Sequence, residues 1–255
     1  MDLGDNKFRS EIKFHIPCRI VPEIREFIKP YVQLDPNAIF NTEDRYVVRS
    51  LYYDTAMLDF FYEKMDGLKI RKKLRIRTYN DDEKDAIGFF EIKRRYENYI
   101  LKERSKYPFD KIKKIIDFPE NNWMDHDDFG RGKLALGRFL YNLMSRNLKP
   151  TLLVCYEREA YVDVFDPTIR LTLDYNIRSK AYPNLNEMFM TSMFDHHTGD
   201  HCVLEMKYDG LMPRWMRMLM TMQKIQAQSV SKYCMGINTT LISHQKDMRY
   251  AANVS

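Results

Sequence analysis

The sequence predicts an α+β fold, in which about eight mostly antiparallel strands form a sheet and a few helices pack against it. Three observations support this class. Stretches with period-two alternation dominate the chain, the connections between them are mostly short, and helical periodicity is confined to the beginning, the middle and the end. No repeat, low-complexity tract or Pro/Ser-rich linker divides the chain, so we expect a single domain over residues 1–255.

Eight segments rich in β-branched and aromatic residues predict the strands. They are residues 9–16, 45–55, 69–80, 87–96, 99–109, 151–164, 169–179 and 200–210. Apolar residues three or four positions apart predict the helices, and Pro22 and Pro213 suit the first turn of two of them. The predicted helices are residues 21–32, 55–65, 132–148 and 213–229.

Composition excludes several classes of protein. The 41 Lys and Arg against 36 Asp and Glu give a net charge of only +5, which does not indicate indiscriminate binding to nucleic acid. No run approaches the roughly 18 apolar residues of a membrane helix, and the first residues do not resemble a signal peptide. The four cysteines form no CxxC pair, so no zinc knuckle is predicted. We therefore expect a soluble, cytoplasmic protein.

Charged and apolar residues alternate within the strands. The segment "KLRIRTYN", residues 73–80, places Lys73, Arg75 and Arg77 on one side of a strand and Leu74 and Ile76 on the other. Taken alone, such a strand is best explained by an ordinary solvated face. However, at least seven strands carry a charged stripe that is biased to cations, whereas a merely wet face is expected to mix acids and bases.

Eight such strands could form an open sandwich or a closed barrel. A barrel with its charged stripes inside leaves an apolar outside for the helices to cover, and the predicted helices favour that arrangement. Cations turned inward need a polyanionic guest or water, because burying an unpaired charge costs many kcal/mol. Since Arg and Lys favour phosphate oxygens, the simplest guest is a triphosphate or a phosphate chain. No nucleic acid is expected, because the aromatic residues do not form a stacking platform.

Eight segments in order resemble the VTC domain family, the polyphosphate polymerase branch of the triphosphate tunnel metalloenzymes in the CYTH-like superfamily. They are "RSEIKF", "LRIRTY", "FFEIKRR", "YILKERSKYPF", "CYEREAY", "IRLTLDYNIRS", "LEMKYDG" and "SVSKYCMGI". The resemblance implies an eight-stranded antiparallel β-barrel with helices outside and a basic tunnel that binds ATP and polyphosphate. It also implies transfer of the ATP γ-phosphate to a growing polyphosphate chain, release of ADP, and Mn²⁺ or Mg²⁺ as cofactor.

The resemblance also assigns site residues by motif. Glu205 would hold the metal. Lys232 is the candidate catalytic cation that stabilises the charge developing during transfer, although it could equally be a binding residue. The substrate-binding set would be Lys13, Arg75, Arg77, Lys93, Lys102, Tyr156, Arg158, Arg170, Lys207 and Ser231. Purely structural roles are the alternative for some of these residues. Glu205 and Glu91 could simply pair with lysines, and Ser231 could be a helix cap. No general base is required, because the acceptor phosphate oxygen is already ionised.

Two departures from the family's pattern bear on function. Hydrolytic CYTH relatives open with ExExK, whereas this chain reads Arg9-x-Glu11-x-Lys13, which removes one carboxylate ligand and favours the polymerase branch. The eukaryotic polymerases carry an SPX domain and a membrane segment, and we find neither here. We therefore expect a stand-alone cytoplasmic domain, or one held at the inner face of a membrane by a separate partner chain. A metal-dependent tripolyphosphatase or nucleoside triphosphatase, and a non-catalytic polyphosphate sensor, stay open as alternatives.

Overall fold

The chain folds into two compact units. The computed structural model describes residues 9–36, 44–79, 82–97, 99–118, 131–192 and 194–243. The first unit comprises Met1–Tyr46, Tyr156–Ile177 and His196–Ser231, and the second comprises Val47–Cys155, Arg178–Asp195 and Lys232–Ser255. The single domain over residues 1–255 stays a prediction, since three long strands each contribute residues to both units.

Antiparallel strands and short helices make up both units, which confirms the predicted α+β class. The strands are β1 (Arg9–Pro17), β2 (Val32–Leu34), β3 (Arg45–Asp54), β4 (Ile70–Thr78), β5 (Ile87–Tyr96), β6 (Tyr99–Pro108), β7 (Lys149–Asp163), β8 (Arg170–Ala181), β9 (Asp195–His196) and β10 (His201–Asp209). The α-helices are α1 (Val21–Ile28), α2 (Asp59–Met65), α3 (Phe109–Asp117), α4 (Arg131–Ser145), α5 (Arg214–Met222) and α6 (Lys232–Ile237). Short 3₁₀ turns occupy Cys18–Ile20 and Leu185–Phe189, and a π-helical turn occupies Asn238–Ser243.

All eight predicted strands are present, but several helix boundaries differ from the predictions. Helix α1 ends at Ile28 rather than at residue 32, because residues 32–34 pair with β7 as strand β2. Helix α5 ends at Met222 rather than at residue 229. Lys224 has a φ of 49°, and such a left-handed residue stops a helix. Helices α3 and α6 were not predicted. Helix α6 has only six residues, too few to establish a clear apolar period, whereas α3 begins at Phe109, which was assigned to the preceding strand.

In the first unit, the main strands pair in the order β1-β10-β8-β7, with β2 beside β7. Helices α1 and α5 cover one face of these strands, and the core between them includes Phe14, Ile24, Leu204 and Trp215. The indole Nε1 of Trp215 donates a hydrogen bond of 3.0 Å to Asp163, at the end of β7. The charged residues of β1, β8 and β10 alternate with these core residues and therefore belong to the opposite face.

In the second unit, the strands pair in the order β7-β3-β4-β5-β6. Leu74 and Ile76 are fully buried and belong to one core with residues of α3 and α4, among them Ile112 and Phe139. This confirms that the apolar side of "KLRIRTYN" faces helices.

Among the described residues, β1 and β6 are not hydrogen-bonded to each other. The closed barrel therefore stays a prediction. None of the helices among these residues is both long enough and apolar enough to cross a membrane.

A close contact in the second unit gives a stability prediction. A Cβ added at Gly236 of α6 would lie 2.5 Å from Leu152 Cδ2 and 2.9 Å from Ser179 Oγ. We expect Gly236→Ala to lower the free energy of unfolding by about 1–3 kcal/mol, because the packed neighbours must move. Gly137→Ala in α4 is the matched control: no atom lies within 4 Å of its added Cβ. It should raise the free energy of unfolding by about 0.5–1 kcal/mol.

Urea unfolding of the two variants measures both effects. Equal stability changes in the two variants would contradict this account of how α6 packs.

Candidate functional site

One face of the second unit carries a dense group of basic side chains, which we call the cationic face. These side chains alternate with the core residues of β4, β5 and β6. The cationic face consists of Lys73, Arg75 and Arg77 of β4, Glu91 and Lys93 of β5, and Lys102 and Arg104 of β6. It therefore brings together four of the predicted substrate-binding residues, which are Arg75, Arg77, Lys93 and Lys102.

Strand register sets like charges directly opposite one another on this face. Lys73 of β4 lies opposite Lys93 of β5, which in turn lies opposite Lys102 of β6. Directly opposite side chains in antiparallel strands have Cβ atoms about 4.5–5.5 Å apart, so the like charges of this lysine row repel one another. Arg71 and Arg95 repeat the arrangement near the start of β4, where burial and then the charge of Arg95 lower the pKa of Arg71.

Glu91 is the carboxylate at the centre of the cationic face. It is buried, and its oxygens lie 2.6 Å from Arg75 Nη2, 2.8 Å from Lys102 Nζ and 3.3 Å from Arg104 Nε. Burial alone would raise the pKa of Glu91, but Arg75, Arg77 and Lys102 outweigh burial and lower it. Glu91 thus takes the structural role of pairing with basic residues. From β5 it links the arginines of β4 on one side to Lys102 and Arg104 of β6 on the other.

Two tyrosines border the same cations. Tyr52 of β3 is buried, and its hydroxyl accepts a hydrogen bond of 3.0 Å from Arg75 Nη1. Burial would raise the pKa of Tyr52, but Arg75, Arg77 and Lys73 lower it to about 7. For Tyr79 the effect of burial is likewise outweighed, chiefly by Arg77, and its pKa falls to about 8. The sequence did not single out either phenol, because aromatic residues in strands are usually core residues.

Helix α6 carries the candidate catalytic residue, Lys232, at its first position, where the side chain is half-buried. The next residue, Tyr233, donates a hydrogen bond to Asp54 at the end of β3. Asp54 also accepts the backbone N–H groups of Phe60 and Phe61 at 3.0 and 3.1 Å, which fixes the start of α2. Asp54 therefore anchors α6, and with it the backbone of Lys232, to β3.

In the first unit, a buried carboxylate is also paired with lysines. Glu205 of β10 lies opposite Lys13 of β1, with Lys13 Nζ 3.3 Å from one of its oxygens, and Lys207 contacts the other. Lys13 Nζ lies 2.9 Å from Glu11 as well. Burial lowers the pKa of Lys13, but Glu205 and Glu11 more than offset this and raise it above its ordinary value. The structure thus brings Lys13, Lys207 and Glu205 together.

The remaining predicted residues of the first unit have separate partners. Arg158 makes a two-point contact with Asp174, at 2.6 and 2.8 Å, and its guanidinium carbon lies 5.2 Å from the ring centroid of Tyr156. Arg170 lies 3.3 Å from Asp35. Acids and bases are therefore mixed in this unit, in contrast to the cationic face.

Ser231 is half-buried and directly precedes α6. Three residues earlier in the chain, the backbone N–H of Gln228 donates a 2.8 Å hydrogen bond to the Lys13 carbonyl, which ties this segment to β1.

The donors around Lys13 fit a divalent cation that also binds phosphate. Across the described ranges, no three His, Cys, Asp or Glu side chains gather into a ready-made metal cluster. Glu205 and Glu11 nevertheless supply carboxylate oxygens on either side of one ammonium group. Mg²⁺ is usually held by one or two carboxylates together with substrate phosphates, which suits this donor set. The side chain of Arg9, the departure from ExExK, lies outside the described residues.

The structure adds residues that sequence patterns did not assign to the site. Arg104 was visible in the charged stripe of its strand but was not selected, and it joins Lys102 on Glu91. Asp174 and Tyr52 pair with predicted arginines. The signal that could have found them is strand register, which a single sequence does not supply.

Fold and charge pattern together define an antiparallel α+β domain with a basic face suited to anions. The chain belongs to the VTC domain family, whose model matches residues 8–241.

Among curated proteins, the chain is 24% identical to vacuolar transporter chaperone complex subunit 4 of Schizosaccharomyces pombe. That match covers 92% of this chain but only 37% of the relative's length.

Similar solved structures include a candidate adenylate cyclase from Bacillus halodurans, with a TM-score of 0.49 and 15% identity over 88% of this chain and 93% of that one. A candidate adenylyl cyclase from Hippeastrum, described as having a dominant triphosphatase activity, has a TM-score of 0.47 and 13% identity, over 91% and 96% of the two chains.

The central place of Glu91 gives a second prediction. We expect Glu91→Gln to lower the free energy of unfolding by about 3–5 kcal/mol, because the largely buried Arg75 and Arg77 lose the buried carboxylate that neutralises them. Glu97→Gln is the control, since its pair with Lys69 is largely exposed. It should change stability by less than about 1 kcal/mol. Urea unfolding of both variants decides, and a Glu91→Gln protein as stable as Glu97→Gln would refute the central role of Glu91.

Proposed function

We propose that this protein is a polyphosphate polymerase, which transfers the γ-phosphate of ATP to the end of a growing polyphosphate chain and releases ADP. The observation that carries the proposal is the lysine row of Lys73, Lys93 and Lys102, flanked by the arginines of the cationic face. Membership of the VTC domain family and the similarity to vacuolar transporter chaperone complex subunit 4 support it.

The lysine row suits a linear polyanion better than a single small anion. Neighbouring strands lie about 4.8 Å apart, so a row across three strands spans roughly 10 Å. Several consecutive phosphate groups fit along such a distance. Arg75 and Arg77 add planar guanidinium groups, which bind phosphate oxygens at two points.

The chemistry of this transfer requires positioning and charge neutralisation more than a nucleophilic side chain. The acceptor is an ionised phosphate oxygen, so Arg and Lys side chains that hold donor and acceptor in line are sufficient. In our proposal, Lys232 stabilises the charge that develops as ADP leaves. Bound to Glu205, with Glu11 nearby, Mn²⁺ or Mg²⁺ would neutralise phosphate charge. Lys13 and Lys207, which pair with Glu205, would bind phosphate oxygens beside it.

We further propose that the substrate-binding set of Lys13, Arg75, Arg77, Lys93, Lys102, Tyr156, Arg158, Arg170, Lys207 and Ser231 contacts ATP or polyphosphate. Arg158 is held in place by its two-point contact with Asp174. The relative's name includes a complex, so we also propose that the chain assembles with other subunits, in the cytoplasm or at the inner face of a membrane.

Incubation with ATP and Mn²⁺ or Mg²⁺ tests the activity. We expect ADP and long polyphosphate to form together. Phosphate release without polymer would instead identify a triphosphatase, and tight tripolyphosphate binding without turnover under either metal would identify a sensor. Glu205→Gln should reduce the rate about hundredfold or more, because metal stabilisation is worth several kcal/mol. Glu97→Gln should keep full activity, and an active Glu205→Gln enzyme would reject the metal assignment.

Replacing the central lysine of the row tests polyphosphate binding to the cationic face, which we call the polyanion site, without the need for catalysis. We expect Lys93→Met to weaken tripolyphosphate binding about tenfold or more, since a hydrogen bond to a charged group contributes about 1.5–3 kcal/mol. The same variant should be more stable by about 0.2–1 kcal/mol, because it removes a charge that faces two others. Titration calorimetry and urea unfolding measure the two effects.

The exposed Lys69, which pairs with Glu97, offers the control Lys69→Met. That variant should leave tripolyphosphate binding unchanged. Unchanged binding in Lys93→Met, or single-stranded RNA competing with polyphosphate at equal charge, would contradict the proposed site.

A further inference from the structure

We propose that Tyr52 is a positioning residue of the polyanion site, which takes up a proton when a polyphosphate binds to Arg75 and the cations around it. This inference rests on the proposed binding function of the cationic face and adds a residue and a proton to it. Tyr52 does not need to touch the substrate, because it acts through Arg75.

The geometry around Arg75 places Tyr52 in direct contact with this guanidinium. Tyr52 is only 6% exposed, and its hydroxyl oxygen lies 3.0 Å from Arg75 Nη1, while Glu91 lies 2.7 Å from Arg75 Nε. Arg75 is thus held between a carboxylate and a phenol. The register of the strands agrees with these contacts, since Tyr52 lies opposite Arg75 and Arg75 lies opposite Glu91.

Charged side chains surround the phenol of Tyr52. Strand β4 contributes Lys73, Arg75 and Arg77, and β5 contributes Glu91 behind Arg75. From α6, the ring of Tyr233 packs 4.9 Å from the Tyr52 ring, with the Tyr233 hydroxyl turned to Asp54 of β3. Three cations therefore face Tyr52 from β4. Of the nearby carboxylates, Glu91 is paired with Arg75, and Asp54 accepts the hydrogen bond of Tyr233. With a pKa near 7, Tyr52 is about half phenolate at neutral pH when the site is empty.

Binding of a polyphosphate exchanges one anion for another at these cations. A polyphosphate on the cationic face places negative charge next to the same cations, which removes their stabilisation of the phenolate. The phenolate oxygen then takes a proton from solvent and becomes a neutral phenol, which still accepts the hydrogen bond from Arg75. Because the empty site loses this proton above pH 7 and the filled site keeps it, binding must weaken as pH rises through 7. One coupled proton weakens binding by up to about tenfold per pH unit.

Phosphate groups also titrate in this range, and their ionisation strengthens binding as pH rises. A comparison of variants cancels that contribution, since the ligand is the same. The informative variant is Tyr52→Phe, which keeps the ring that packs on Tyr233. The control is Tyr53→Phe, because Tyr53 lies on the opposite face of the same strand and its buried hydroxyl has no hydrogen-bond partner among the described residues.

The experiment is metal-free titration of the full chain with tripolyphosphate at pH 6 to 9, in buffers of different ionisation enthalpy. At pH 8, we expect the wild type and Tyr53→Phe to take up close to one proton more than Tyr52→Phe. We also expect tripolyphosphate to reduce the tyrosinate ultraviolet absorbance of the wild type, and Tyr52→Phe to lose most of that change. Relative to the wild type, Tyr52→Phe should bind more weakly at pH 6 and regain affinity as pH rises.

Other outcomes separate this inference from the function it rests on. If the wild type and Tyr52→Phe bind tripolyphosphate with the same proton uptake and the same absorbance change, the role of Tyr52 is overturned. The proposed polyanion site would still stand. Loss of the absorbance change in Tyr79→Phe instead of Tyr52→Phe overturns it in favour of the other phenol. Absence of tripolyphosphate binding by the wild type at every pH overturns the proposed function, and this inference with it.

Discussion

Repulsion between like charges on the cationic face is the constraint on which the second unit depends. Lys73, Lys93 and Lys102 lie directly opposite one another, and the arginines beside them are held by the single carboxylate of Glu91. An ordinary solvated sheet would alternate acids and bases at such positions, because opposite charges on neighbouring strands attract each other. The arrangement is therefore poor for stability and favourable for holding an anion, which is a common compromise at functional sites.

The sheet tolerates this compromise because its other face is apolar and well packed. Each unit has its own core, and in each the helices cover the side of the strands opposite to the charges. Glu205 and Glu91 play similar roles in the two units, since each is buried and each neutralises the basic residues around it. They differ in their surroundings: Glu205 lies among mixed charges, near Glu11, whereas Glu91 is the one acid of the cationic face. This difference supports the proposal that Glu205, and not Glu91, holds the metal.

Much of this organisation was predictable. The period-two alternation of "KLRIRTYN" predicted that Leu74 and Ile76 face helices, and the structure confirms it. All eight main strands were found, because each is long and strongly alternating. The short elements α6, β2 and β9 were missed because each is too brief to show a clear period, and α3 was missed because its first residue, Phe109, was assigned to the preceding strand. The end of α5 was misplaced because a left-handed residue, Lys224, interrupts an apolar pattern that continues beyond it.

By itself, the sequence determined which side chains share a face, because alternation along a strand follows from backbone geometry alone. It therefore identified the fold class, the cationic stripes and, through the family resemblance, most candidate site residues. Only the tertiary structure decided which strands are neighbours and in what register. That register sets three lysines in a row, gives Glu91 its basic partners and brings Tyr52 to Arg75. The physical reason is that pairing between strands depends on contacts between residues far apart in the chain, which no local pattern specifies.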